Sequence, residues 1–226
     1  MRYFLFVLAF AIKISVDAQT YSTVYEEECK FSQQFYKEHL KKFDSISTKI
    51  KNSSGAFVFS VIAPELSQYQ WLQAKIETYS NKVMYVQFGK RYGDFSIGYF
   101  QMKPSFIEAI EVFVKNEPKL IEYINAVIVN NDARQARIER IKRLENLQWQ
   151  FKYLEIFLKI AEVKSDAYKN KTVTERIKRF ALLYNTGFNK TDDQLNKISS
   201  LNLFPHFSLN KFNYCNVAVE LYEKVK

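Results

Sequence analysis

The chain has 226 residues and is strongly basic, with 33 Lys and Arg against 24 Asp and Glu, a net charge of +9. That balance suits an anionic partner such as a cell wall, a membrane surface or a nucleic acid. Only two histidines and two cysteines occur, without ligand spacing, which argues against a zinc site.

The first element is a targeting signal. Arg2 supplies a positive start, Tyr3 to Ile12 is an unbroken apolar run, and Val16-Asp17-Ala18 puts small or apolar residues at the −3 and −1 positions. Residues 1–18 therefore read as a signal peptide cleaved before Gln19. Lys13 cuts the run well short of the roughly 20 apolar residues that a membrane span needs. An uncleaved anchor is the alternative. Loss of Arg2, Lys13 and Asp17 leaves a mature charge of +8. Export to the periplasm or the cell exterior turns the expectation away from nucleic acid, and no stable membrane span is expected after cleavage.

Residues 19–226 are expected to form one domain with a sizeable core. Five glycines and four prolines in the whole chain favour long helices and few sharp turns. Residues 22–50 read as one amphipathic helix with Phe31, Phe35, His39 or Leu40, and Phe43 on a stripe. Asn52-Ser53-Ser54-Gly55 breaks it. A strongly apolar segment, Ala56 to Ala63, then runs into Pro64-Glu65, and a further helical stretch carrying Leu66, Tyr69, Leu72, Ile76 and Met84 reaches about Phe88.

Gly89, Gly93 and Gly98 fall within ten residues and Pro104 closes the segment, which marks a loop or small hairpin with special backbone angles. Ser105 to Glu108 has the pattern of a capping box opening a helix. A short helix is expected from Pro118 to about Val129, ended by Asn130-Asn131-Asp132. One long amphipathic pattern covers Ala133 to about Lys169, with Ile138, Ile141, Leu144, Phe151, Leu154, Leu158 and Ala161 inward. Thr172-Glu175 and Thr191-Gln194 are further capping boxes, and Gly187 closes the helix between them. A loop around Pro205 precedes the last helix. The fold class is all-α, with one glycine-rich loop or hairpin among the helices. Cys29 and Cys215 lie near the two ends, where either one bridge or two buried free thiols is consistent with the sequence.

Three ordered segments carry the candidate chemistry. Ser60-Val61-Ile62-Ala63-Pro64-Glu65 is an apolar helix that delivers a glutamate at its end. Phe95-Ser96-Ile97-Gly98-Tyr99-Phe100-Gln101-Met102-Lys103-Pro104 is a glycine-containing loop with a hydroxyl and an amide. Leu183-Tyr184-Asn185-Thr186-Gly187 ends a helix. An apolar setting would desolvate the Glu65 carboxyl and raise its pKa, as an acid that protonates a glycosidic oxygen requires. Gly98 would let the backbone approach a sugar ring, and Ser96 and Gln101 would supply hydrogen-bonding groups. In plainer readings, Glu65 is a helix-end carboxylate, Ser96 and Gln101 bond within the loop, Gly98 is a turn residue, and residues 184–187 are a helix cap.

Taken together, the three segments resemble the signature of the lytic transglycosylases of the lysozyme-like superfamily. The resemblance spans residues 60–187. It implies a lysozyme-like fold and no cofactor or metal. Glu65 would be the catalytic acid, Ser96, Gly98, Gln101 and Asn185 would bind substrate, and Tyr184 would stand beside the acid. It also implies cleavage of peptidoglycan between N-acetylmuramic acid and N-acetylglucosamine. Glu65 would protonate the leaving oxygen, then take a proton from the muramic acid 6-hydroxyl as it closes on C1 to form a 1,6-anhydro ring. Two departures stand out. Leu66 replaces the usual Ser after the acid, and the 31 residues from Glu65 to Ser96 make the tract 66–95 an insertion that holds a rival acid, Glu77. Two alternatives remain, a hydrolysing muramidase with Asp94 as second carboxylate, and a non-catalytic envelope protein that binds glycan or protein.

Overall fold

The computed structural model describes residues 19–69, 78–128, 130–206 and 208–226, and the side chains of all of these except 78 and 79. Residues 1–18, expected to be a signal peptide, and Leu72, Ile76 and Glu77 lie outside the described residues. What is described is mostly helical, with one two-stranded sheet.

Two helices form the centre. The first does so because its sequence leaves almost no polar face, the second because its polar residues, Gln150 and the terminal Lys164 apart, are confined to one stripe, Gln148, Lys152, Glu155, Lys159 and Glu162. The first, α4 (Gly55–Ser67), buries every residue but Glu65. Ser54 caps it by accepting a 3.2 Å bond from the Phe57 amide. The second, α8 (Leu147–Lys164), buries Phe151, Tyr153, Leu154, Ile156, Phe157, Leu158, Ile160 and Ala161. An all-round apolar helix, or one with so narrow a polar stripe, has to be wrapped by others. The wrapping helices are α2 (Glu26–Glu38), α3 (Leu40–Ser47), α6 (Pro104–Asn116), α9 (Val173–Thr186) and α11 (Tyr214–Glu223).

Several expected boundaries differ for local reasons. The helix expected over 22–50 is three segments, α1 (Tyr21–Val24), α2 and α3, broken at Tyr25 and at His39. His39 is turned back on Phe35, with Nδ1 3.0 Å from its carbonyl oxygen and the rings stacked at 4.1 Å. The pattern from Ala133 onward is two helices, α7 (Ala133–Glu145) and α8. Asn146 leaves helical angles between them and caps α8 by accepting from the Trp149 amide. Ser105 to Glu108 forms no capping box. Pro104 takes the first position of α6 with Lys103 as its N-cap, and the Ser105 amide and hydroxyl bond Asp94 instead. The stretch expected to reach about Phe88 ends as α5 (Thr78–Phe88), and Pro118–Ala126 is a 3-10 helix. The Thr172-Glu175 and Thr191-Gln194 boxes both form, the second opening α10 (Asp192–Ser199), and Gly187 ends α9 at φ 86°.

A sheet stands where only a loop was expected, as β1 (Asn202–Phe204) pairs antiparallel with β2 (Phe212–Asn213) around Pro205. The glycine-rich segment does form a small hairpin, closed by two backbone bonds between Ile97 and Met102. Cys29 and Cys215 are both buried and free. They face different neighbours, Cys29 the charges of Glu220 and Lys224 and Cys215 that of Lys178, and burial raises the Cys29 thiol to about 12 and the Cys215 thiol to about 11. Of the two alternatives, two buried free thiols is the one found. No helix among the described residues is long and apolar enough to cross a membrane.

Candidate active site

The last turn of α4, the hairpin and the end of α9 meet around one cleft of about 750 Å³. Glu65, Ser96, Gln101, Tyr184 and Asn185 all line it, together with Asp94, Phe95, Phe106, three lysines and His206. Residues 119 apart in sequence, Glu65 to Tyr184 and 120 to Asn185, thus face one space.

Glu65 is the one incompletely buried residue of α4. Pro64 has no amide hydrogen, so the Ser60 carbonyl loses its helical partner one residue before the acid. The turn after it is tied down. Ser67 donates to the Pro64 carbonyl at 2.7 Å and lies 2.6 Å from the Tyr21 hydroxyl, which also accepts from Gln68 at 2.7 Å. Tyr21 is in turn fixed through its amide to Glu220 of α11. Among the described residues the Glu65 carboxyl makes no hydrogen bond or ion pair. Surrounding protein pushes its pKa up to about 7, while the positive charge of Lys103 pulls the other way. A carboxyl in this state is part protonated near neutrality and can serve as acid and then as base.

The hairpin is held from both sides through one residue. The Phe100 amide donates to Gln150 Oε1 of α8 at 3.0 Å, and the Phe100 carbonyl accepts from the Tyr184 hydroxyl of α9 at 2.6 Å. Gln150 is 1% exposed. Its Nε2 donates at 2.8 Å to the Leu144 carbonyl, freed where α7 ends. Two helices therefore set the hairpin against Glu65.

Gly98 does not line the cleft. Its φ is 72°, and a Cβ there would collide with the Gln150 side chain, so glycine is needed for the packing against α8. The close approach expected toward a sugar is made to Gln150. Gln101 holds a left-handed φ of 50°, uncommon for a residue with a side chain, and its Nε2 donates to the Gly98 carbonyl at 2.7 Å. By contrast, the Ser96 hydroxyl and the Asn185 amide lie in the lining without a hydrogen bond to the described residues. Tyr184 spends its proton on Phe100. Burial, and next the charge of Glu65, hold its phenol well above the usual tyrosine range.

Asp94 is exposed and both its oxygens are used, Oδ1 by the Ser105 amide at 3.1 Å and Oδ2 by the Ser105 hydroxyl at 2.8 Å. It is a cap for α6. The cleft also contains cations that sequence reading did not single out. Lys103 follows the hairpin, Lys90 is 3.1 Å from Glu108, and Lys190 donates to the Thr186 carbonyl at 2.6 Å. His206 lines the mouth, its pKa lowered by burial, then by Lys211 and Lys103. Gln150 was legible in principle, as a polar residue on the otherwise apolar face of its helix beside Phe151. Among the described residues no three or more His, Cys, Asp or Glu cluster as a metal site. No family model, curated protein or solved structure matches the chain.

Proposed function

We propose that the cleft is the active site of an exported glycan-cleaving enzyme of lytic transglycosylase type, with Glu65 as its one general acid and base. The observation that carries this is an unpaired carboxyl, raised to about 7, facing a cleft lined by the hydroxyl of Ser96 and the amides of Gln101 and Asn185. Burying an unpaired ionisable group costs stability, and such groups concentrate at reacting centres. Glu65 protonates the glycosidic oxygen. Its carboxylate then takes the proton of the muramic acid 6-hydroxyl as that oxygen closes on C1. Ser96, Gln101 and Asn185 hold the sugar. Tyr184 keeps the hairpin in place and stands beside the acid. Lys90, Lys103 and Lys190 suit the carboxylates of peptidoglycan stems.

A hydrolysing muramidase needs a second carboxylate free to activate water if it inverts, or to attack the sugar if it retains. Asp94, with both oxygens committed to Ser105, is poorly suited to either role, and the single-acid reaction is favoured. Residues 19–226 incubated with purified sacculi should release anhydro-muropeptides detectable by mass spectrometry. Reducing-end muropeptides instead would indicate hydrolysis. Pelleting with sacculi without release of fragments would leave a binding protein.

A further inference from the structure

A second concave site lies between the start of α9, the end of α8 and the turn at residues 51–52, with a volume of about 420 Å³. Its cations exceed its anions. Lys159 pairs with Glu162 at 3.3 Å and Lys169 with Asp166 at 3.3 Å, and these charges cancel. Lys51, Lys119 and Arg176 remain, and none of them is ion-paired among the described residues. Arg176 is 5% exposed. Its guanidinium donates to the Lys51 and Asn52 carbonyls and lies 4.9 Å from the Phe57 ring centre and 5.9 Å from that of Phe180. Aromatic contacts and two carbonyls thus fix the orientation of a buried cation whose charge, among the described residues, is met by dipoles, ring faces and, at longer range, Glu162.

We propose that this pocket binds a phosphate oxyanion, free or as part of a phosphodiester polymer. The Arg176 guanidinium, held by the Lys51 and Asn52 carbonyls, supplies a fixed positive charge at the floor, and the Lys51 and Lys119 ammonium groups add two more charges, a combination suited to a small oxyanion. Leu120 and Phe180 form apolar walls that shield those interactions from water. The site is built from residues other than those of the Glu65 cleft and does not depend on glycan cleavage.

The test is a titration of the purified chain with inorganic phosphate, chloride being adjusted to constant ionic strength, followed by protein NMR. Saturable shifts at Asn52, Arg176 and Tyr168 are expected, with a Kd on the order of 1 mM or tighter. Joint substitution Lys51→Ala and Lys119→Ala, both at exposed positions, should weaken binding by roughly tenfold. Lys37→Ala with Lys41→Ala removes the same charge outside the pocket and should leave the Kd unchanged. A parallel titration with soluble poly(glycerol phosphate) identifies the source. Tighter binding per phosphate points to the polymer, and equal binding points to free phosphate. Shifts that fail to saturate with either probe, or a Kd that responds equally to the two lysine pairs, would overturn the proposal.

Discussion

Two glutamates of this protein sit within the fold and are treated in opposite ways. Glu111, on α6, is 4% exposed and meets Arg140 of α7 through two bonds of 3.0 and 2.7 Å. Burial works against the Arg140 charge, but its bonds to Glu111 outweigh that and hold its pKa above the arginine range. Tyr85 and Glu108 complete the cluster, with the Tyr85 hydroxyl donating to Glu108 at 2.9 Å. Glu65 has no such partner, only Lys103 at longer range, and its pKa rises. A paired buried carboxylate cements helices. An unpaired one weakens the fold locally and is worth keeping only where its proton is used.

The largest effect should come from removing that proton. Glu65→Gln keeps the size of the side chain but cannot donate an acidic proton, so release of anhydro-muropeptides should fall about 10²–10⁴-fold. Wild-type rates in this variant would mean that Glu65 is as structural as Glu111. The opposite arm is Arg140→Met, which strands the Glu111 charge and should cost about 3–5 kcal/mol in urea unfolding. A loss below 1 kcal/mol there would erase the distinction between the two sites.

The same contrast has a pH signature. Relative to an ordinary glutamate, Glu65 has a folded-state pKa raised to about 7. It therefore favours the fold fully only below the unfolded pKa, and that contribution is lost as pH rises through 7. At pH 8 the charged form should cost up to about 3 kcal/mol, an upper limit because the carboxyl faces an open cleft. Glu65→Gln should accordingly be more stable than wild type at pH 8, with the gain fading toward pH 4. A pH-independent difference between the two unfolding curves would contradict the raised pKa.

How far the sequence foretold these contacts depends on the range of the interaction. The apolar run of 56–63, the Thr172 and Thr191 boxes and the hairpin around Gly98 are written in neighbouring residues, and they form. Ser105 looked like a cap because Glu108 follows at the right distance, yet Asp94 from the preceding loop takes its hydrogen bonds and Glu108 turns to Lys90 and Tyr85. Asn146 split an amphipathic pattern that periodicity alone reads as continuous. The gathering of Glu65, Ser96, Gln101, Tyr184 and Asn185 was anticipated through resemblance to a motif order. Local pattern alone did not contain it, and it missed Gln150 and the cleft lysines, whose roles depend on contacts across the fold.

Gly98→Ala probes the scaffold that holds the hairpin. The φ of 72° and the contact with Gln150 both oppose a Cβ, so a loss of roughly 1–3 kcal/mol is expected. Activity should fall along with it, because displacing Gln150 frees the Phe100 amide and lets the hairpin shift against Glu65. Gly98→Ala with full stability and full activity would mean that the hairpin does not need this anchor.

The smallest effect is expected at Asp94, and it decides between one carboxylate and two. Asp94→Asn retains an oxygen that can accept from the Ser105 amide, while its NH₂ must replace the oxygen that accepted from the Ser105 hydroxyl. That hydroxyl is exposed and can rotate to donate elsewhere or to accept from the new amide, so stability should drop by no more than about 1 kcal/mol. If Asp94 only caps α6, glycan cleavage should stay within about threefold of wild type, far from the 10²-fold loss expected for a group that activates water. A rate that collapses in Asp94→Asn while unfolding is unchanged would move Asp94 from the helix cap to the reaction. The products would then be hydrolytic, and the opposite of Glu111 would be a pair of carboxylates.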